Sequence, residues 1–261
     1  MSNSARPVAL VTGATSGIGL AVSRKLAGEG HSVFLCARTE TDVASTVEEL
    51  REEGLDVAGT VCDVRSAESV EACVAAAVER YGSIDVLVNN AGRGGGGVTA
   101  DLTDELWHEM VATNLTSVFL VTRAVLNTGG MRDKKRGRII SVASTAGKQG
   151  VVLAAPYSAT KHGVVGFTKA LGNELASTGI TVNAVCPGYV ETPMAQGVRE
   201  RYAAAWQTTE EAVLEKFNAK IPLGRYSTPE EVAGLVGYLV TDSAASITSQ
   251  ALNVCGGLGN F

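Results

Sequence analysis

The amino-acid sequence predicts one α/β domain, a parallel sheet with helices on both faces. Three observations predict it. Short apolar runs alternate with amphipathic stretches along the whole chain, and alternation this regular implies right-handed crossovers between parallel strands. The 261 residues, 45% of them hydrophobic, suffice for one large core and are few for two. Glycine takes 30 of the 261 positions, about 11% against roughly 7% in average proteins. No Gly-X-Y repeat or Gly/Ser linker accounts for that excess, which assigns many glycines to turns and close approaches.

The elements follow in order. Residues 8–11 form a strand, and a helix over 17–29 stops at Gly30. Residues 33–36 form the second strand, before a charged helix over 40–53 that stops at Gly54. Residues 56–61 read as the third strand, and Ser66 caps a helix that runs to Tyr81, before Gly82. The fourth strand is 84–88, and a long helical region over 104–126 leaves room for a break. Residues 138–142 are the fifth strand. Pro156 opens a helix to about residue 176, because proline suits the first helical position. Residues 180–185 are the sixth strand, and 190–222 are mixed and partly helical. Pro229 opens a helix to about 240, and 251–254 is the last strand. No linker divides the chain, so 1–261 reads as one domain with a lid at about 192–222.

Composition excludes several classes. The formal net charge of −5 argues against nucleic acid as the main partner. The five cysteines (Cys36, Cys62, Cys73, Cys186, Cys255) are odd in number, scattered and without a C-x-x-C, so a reducing compartment is expected and a disulfide framework is not. His31, His108 and His162 have no zinc-like spacing, and no metal is expected. The N-terminus shows no basic-then-apolar leader, and the longest uncharged tract, 243–261, is too rich in Ser, Thr, Asn and Gly to span a bilayer. A cytoplasmic protein is expected.

The first strand runs into Thr12-Gly13-Ala14-Thr15-Ser16-Gly17-Ile18-Gly19. A glycine-rich turn between a strand and a helix lets backbone N–H groups approach a pyrophosphate. The second strand ends in Cys36-Ala37-Arg38. A carboxylate there would bind an adenosine ribose and favour NAD; Arg38 suits a 2′-phosphate and favours NADPH, although Glu40 lies close by. Asp63 is placed to take the adenine amine, and Asn89-Asn90-Ala91-Gly92 ends the fourth strand, where ligands of open α/β sheets sit.

Tyr157 and Lys161 are four apart on one helix face, and Ser144 follows the fifth strand. Carbonyl reduction needs a proton donor, and a free tyrosine, with a pKa of about 10, exchanges protons poorly near neutrality. An ammonium about 4–5 Å away supplies roughly 3–4 kcal/mol at an effective dielectric of about 20. That predicts a phenol pKa lowered by about 2–3 units. Ser144 can bond the substrate carbonyl oxygen. Asn114 stands mid-helix, where its propensity is poor, which suggests a hydrogen-bonding or water-holding role. His162 reads as structural.

With the glycine loop, Asn-Asn-Ala-Gly, Ser144 and Tyr-x-x-x-Lys in this order, the chain resembles the short-chain dehydrogenase/reductase family over nearly its whole length. The resemblance implies a Rossmann-type doubly wound sheet of about seven parallel strands, usually in a homotetramer. It implies a catalytic tetrad at Asn114, Ser144, Tyr157 and Lys161. It implies cofactor contacts at Gly13, Thr15, Ser16, Gly17, Ile18, Gly19, Arg38, Asp63, Val64, Asn90, Ala91, Gly92, Tyr157 and Lys161. On the nicotinamide side it implies Pro187, Gly188, Val190 and Thr192.

The runs FLCAR, CDVRS, VNNAGRGGGG, GKQGVVLAAPYSATKHGVVGFTKAL and ALNVCGGLGN are similar to the ketoreductases of bacterial aromatic (type II) polyketide synthases of the actinorhodin type. That likeness implies reduction of a poly-β-ketone held on an acyl carrier protein, at its ninth carbon. Gly94-Gly95-Gly96 stands where that group has Pro-Gly-Gly, and Gly94 lacks proline's fixed φ. Gly94, Gly95, Gly96 and Val151, with Val152 and Leu153 beside it, are candidate substrate contacts. Met194, Tyr202 and Trp206 supply an aromatic and apolar lid. Arg38, Arg65 and Arg93 form an expected basic patch for phosphopantetheine or an acidic carrier protein. The run Arg132, Lys134, Lys135, Arg136, Arg138 reads as a solvated turn. The alternatives are a fatty-acid-type 3-oxoacyl-carrier-protein reductase, a general alcohol dehydrogenase, and a non-enzymatic NADP sensor.

Overall fold

Strands β1 (Val8–Thr12), β2 (Ser32–Ala37), β4 (Val86–Asn89), β5 (Gly137–Val142) and β6 (Ile180–Pro187) are buried on both faces almost throughout. They carry near-continuous apolar runs because helices cover both sides of a parallel sheet. A computed structural model describes residues 6–259 and 261. With β3 (Val57–Val61) and β7 (Ala251–Val254), the strands form one all-parallel sheet in the order β3-β2-β1-β4-β5-β6-β7. The order reverses between β1 and β4, the switch point at which such sheets open a crevice beyond their carboxyl ends.

One face is covered by α1 (Gly17–Gly28), α2 (Glu40–Glu52) and α9 (Pro229–Val240), where Val22, Leu26, Leu50, Val232 and Val236 meet the sheet. The other is covered by α3 (Ala67–Tyr81), α5 (Ser117–Thr128) and α6 (Ala155–Leu175), through Val70, Val74, Val121, Val125, Leu171 and Leu175. Capping follows the expected chemistry. Ser66 Oγ accepts from Ser69 N at 3.2 Å, and Thr228 with Glu231 closes a capping box ahead of α9.

The long helix, for which the sequence left room for a break, is continuous and carries a widened turn instead. α4 (Asp104–Val111) passes through a π-helical turn, Ala112–Thr116, into α5. The run Asp104–Thr128 is long and apolar enough to cross a membrane by length and composition, and half of it is buried within the domain. Residues 190–222 resolve into α7 (Pro193–Trp206) and α8 (Glu210–Asn218). Arg138 corrects the reading of the basic run as a solvated turn. It lies on β5 at 5% exposure, and burial holds its pKa below the usual arginine value. It is covered because β5 is buried along its whole length, whereas Arg132, Lys134, Lys135 and Arg136 precede the strand and stay exposed.

Candidate functional site

The crevice floor is built from strand ends. After β1 the chain turns at Gly13, whose φ of +61° suits glycine and whose Cα faces Ala91 so closely that a Cβ would sit 2.8 Å from Ala91 Cα. Ser16 precedes α1 without capping it, so the helix's first N–H groups stay open to an anion. Thr12, a residue to which sequence reasoning gave no role, holds the opposite wall. Its Oγ1 accepts from Asn90 N at 3.1 Å and Ala91 N at 3.0 Å. Asn90 Nδ2 donates back to the carbonyls of Thr12 and Gly13. Asn90 therefore shapes the loop with its side-chain amide. The signal available in the sequence was a hydroxyl at a strand end, too common to single out.

At the far end of β2, Arg38 is exposed and adds to the field on Asp63. The Asp63 carboxylate accepts from Arg65 Nε and Nη2, at 2.9 and 2.6 Å, and this pairing holds its pKa below the usual carboxylate range. The expected bond from Asp63 to an adenine amine therefore competes with Arg65. The basic patch is corrected in the same way. Arg65 is paired with Asp63 and Arg93 with Glu109, so Arg38 carries most of its free charge.

Asn114 sits on the π turn, 1% exposed. Its Oδ1 accepts from Arg93 N at 2.8 Å, and its Nδ2 donates to Arg93 O at 3.0 Å and Thr160 Oγ1 at 3.3 Å. It clamps the segment after β4 onto α6. Gly92 lies against both Asn114 Oδ1 and Lys161 Nζ. Ser144, after β5, is 9% exposed, and Tyr157 and Lys161 stand on α6.

The tyrosine–lysine pair departs from its expected electrostatics. Lys161 Nζ donates to Val142 O at 2.8 Å and lies 5.8 Å from the Tyr157 ring centroid. Burial brings the lysine down to about 8. Burial also pushes the Tyr157 phenol up, with a hydrogen bond from the Ser144 side opposing it. The expected lowering of the phenol is absent because the ammonium is turned to a backbone carbonyl and desolvation dominates. The phenol keeps its proton at neutral pH. His162 Nδ1 pairs with Ser158 O at 2.8 Å, within the helix.

On the outer side, Gly188 N donates to Val254 O, Val190 bridges to Ser227, and Thr192 caps α7. Thr192 lies against Gly17, so the lid starts on the glycine loop. Met194 faces Gly94, and Gly97 N donates to Leu153 O at 2.8 Å. Gly94, Gly95, Gly96, Met194 and the segment 151–153 thus converge. Leu153 takes an unusual φ of +60° there. Tyr202 and Trp206 do share a face, 4.8 Å apart, but both also pack on Phe217, and Lys216 covers Trp206 at 4.3 Å. Phe217 in turn stacks on Tyr189, and Tyr189 on Tyr226. Much of the lid's aromatic surface is used inside the lid.

A family model described as short chain dehydrogenase matches residues 7–203. The chain is 77% identical over 261 residues, all of both chains, to a Streptomyces virginiae protein assigned as the ketoacyl reductase of a monensin polyketide synthase. It is 66% identical over 257 residues, 98% of this chain and 94% of the other, to a Streptomyces violaceoruber protein assigned as ketoacyl reductase 1 of a granaticin polyketide synthase. A variant of the actinorhodin polyketide ketoreductase, crystallised with NADPH, superposes with a TM-score of 0.96 at 62% identity, covering 98% of each chain. The alternation of strands and helices, the reversal of strand order and the residues gathered along that edge have one common origin. The chain belongs to the short chain dehydrogenase family.

Proposed function

We propose that this protein is an NADPH-dependent ketoreductase that reduces one carbonyl of an acyl-carrier-protein-bound poly-β-ketone in the biosynthesis of an aromatic polyketide antibiotic. The observation that carries the reading is the convergence of Ser144, Tyr157, Lys161 and Asn114 at the carboxyl edge of β4 and β5, beside a glycine loop too close to Ala91 for any side chain. The loop and the uncapped start of α1 fit a dinucleotide phosphate. Bound NADPH supplies the hydride.

The chain's own residues do the rest. Tyr157 Oη, protonated because burial raises its pKa, gives its proton to the carbonyl oxygen. The Ser144 hydroxyl bonds the same oxygen and fixes its place. Lys161, held by Val142 O, orients the cofactor ribose, and Asn114 keeps the Arg93 backbone and α6 in register. Gly94, Met194 and Val151 line the way in for the substrate. Arg38, the member of the basic patch left unpaired, takes the 2′-phosphate. A cytoplasmic homotetramer completes the proposal. Reduction at the ninth carbon, and the pathway, for which the resemblance in sequence suggests that of hedamycin, rest on that resemblance alone.

The second reading, a 3-oxoacyl-acyl-carrier-protein reductase, draws on 38% identity over 251 residues to the Escherichia coli enzyme of that name, 96% of each chain. One comparison separates the two. NADPH should exceed NADH in kcat/KM, and a bicyclic ketone such as trans-1-decalone should be reduced far better than an acetoacetyl thioester. Equal use of both cofactors removes the role of Arg38, and a preference for the thioester installs the second reading.

A further inference from the structure

Three thiols that the sequence scatters are brought together behind the crevice wall that Thr12 holds. Cys36 lies on β2, Cys62 just past β3 and Cys73 on α3. Their sulfurs all lie within 4.8 Å of one another, at exposures of 1, 2 and 3%. A triangle of that size has its centre within about 2.8 Å of each sulfur, and a metal–thiolate bond is about 2.3 Å, so the sulfurs close on an in-plane ion by contracting about 0.5 Å, and on an atom seated above their plane by contracting further. The gap beside them, about 160 Å³ of interstitial space, has no room for a water molecule. Its other walls are Leu10, Val70, Val74, Val121 and Thr12, whose hydroxyl is already engaged by Asn90 and Ala91.

The chemistry of the gap selects its occupant. Zinc takes four ligands, and among the described residues no fourth His, Cys, Asp or Glu joins the three, nor has the gap room for a water. Three thiolates around a divalent or monovalent ion leave a net negative charge in a dry, apolar place, which costs several kcal/mol. A trivalent ion cancels the three charges. A trivalent metalloid also needs only three ligands, since a lone pair occupies the fourth position. We propose that Cys36, Cys62 and Cys73 form a binding site for a trivalent, thiophilic metalloid of the arsenite type.

Binding balances without a redox step. As(OH)₃ meets three thiols, three As–S bonds replace three As–O bonds, and the thiol protons leave in three waters. The three thiols titrate as one cluster: hydrogen bonds from Cys62 and Cys73, and then burial, push the Cys36 thiol well up. Because the thiols are covered, entry needs β3 and α3 to part, and loading is slow.

The test is to incubate the whole reduced protein with arsenite, then record its intact native mass and its arsenic X-ray absorption. The expected result is one adduct, a gain of one arsenic less three hydrogens, with three sulfur neighbours and no oxygen. Cys73→Ser should lose the three-sulfur signature, and Cys255→Ser should keep it. No adduct, a mixed sulfur–oxygen shell in the wild type, or an unchanged signature in Cys73→Ser overturns the proposal. The absorption spectrum of the wild type decides the matter even if Cys73→Ser does not fold.

Discussion

The floor of the crevice and its lid are built on opposite plans. On the floor, Asn114, Lys161 and Ser144 are 1, 5 and 9% exposed, and each is tied to backbone distant in sequence or in a neighbouring turn. In the lid, Met194 and Trp206 are 47 and 41% exposed, and α7 buries only Ala203 of its 14 residues, whereas α6 buries ten of 21. The lid's apolar side chains meet one another, around Phe217, more than they meet the sheet. Polar groups on the floor are fixed by bonds that cannot be exchanged for water, which suits chemistry that depends on position. A lid that packs on itself can shift as a unit over substrates of different outline.

If that contrast is right, the largest effects of substitution belong to the floor. Tyr157→Phe should lower kcat by about 10²–10⁴, the usual worth of a positioned acid, while NADPH still binds. Steady-state rates with a fluorescence titration of NADPH measure both. Retention of more than about a hundredth of the wild-type kcat removes the phenol from its role.

Asn114→Ala comes next. It leaves the N–H and C=O of Arg93 without their partner in a half-buried place, where each costs less than the upper end of the about 1–3 kcal/mol of a fully buried group. A loss of about 2–4 kcal/mol in urea unfolding is expected, together with a lower kcat. A variant as stable as the wild type would show that the clamp is dispensable.

The third effect is one of pH. Lys161 titrates at about 8 in the folded chain against a usual 10.5. Below pH 8 the lysine is charged in both folded and unfolded states, and folding bears the whole cost of burying the ammonium. Between pH 8 and 10.5 the unfolded state binds the extra proton, so stability rises with pH there, by at most about 3 kcal/mol. Lys161→Met should abolish this rise. Unfolding free energies of both proteins at pH 7.5, 8.5 and 9.5, without cofactor, give the slope difference, and parallel profiles would refute it.

The same contrast decides what could be read in the sequence. Alternating apolar runs, glycine stops and prolines at helix starts placed the strands and the helices outside 190–222 within a residue or two, because each is a local signal; α7 and α8 were read only as a partly helical stretch. Ser144, Tyr157 and Lys161 were legible because their spacing matches a helix face and a strand end. The π turn that carries Asn114 was not, since a single widened turn leaves the apolar period almost unchanged. Nor were the pairing of Arg65 with Asp63 and of Arg93 with Glu109, or the meeting of three cysteines. Contacts of that kind depend on which side chains the crossovers bring together, and no spacing records it. The tyrosine's pKa was misjudged for a related reason. The sequence shows that a lysine is near, but not that its ammonium faces Val142 O or how dry the phenol is.

The smallest effect should come from the lid, at Trp206. Read from the sequence, its ring would lie on the substrate and be worth about 2.5 kcal/mol, close to two decades in kcat/KM, for some 100 Å² of apolar contact. In the structure one side of the ring meets Tyr202 and Phe217, and Lys216 stands over it at 4.3 Å. Only the remainder is free for a ligand, so Trp206→Ala should lower kcat/KM for trans-1-decalone by less than about tenfold, or about 1.4 kcal/mol. Small ketones should be hardly affected. Part of the loss belongs to the lid itself, because removing the ring loosens the contacts of Phe217. Met194→Ala separates the two contributions: Met194 faces Gly94 across the crevice and has no partner in the aromatic cluster. If the floor is fixed and the lid mobile, Met194→Ala changes the ratio between large and small ketones, and Trp206→Ala changes chiefly how fast the lid's segment is cut by a protease. A hundredfold loss in Trp206→Ala, matching Tyr157→Phe, would make the lid as exacting as the floor and end the distinction.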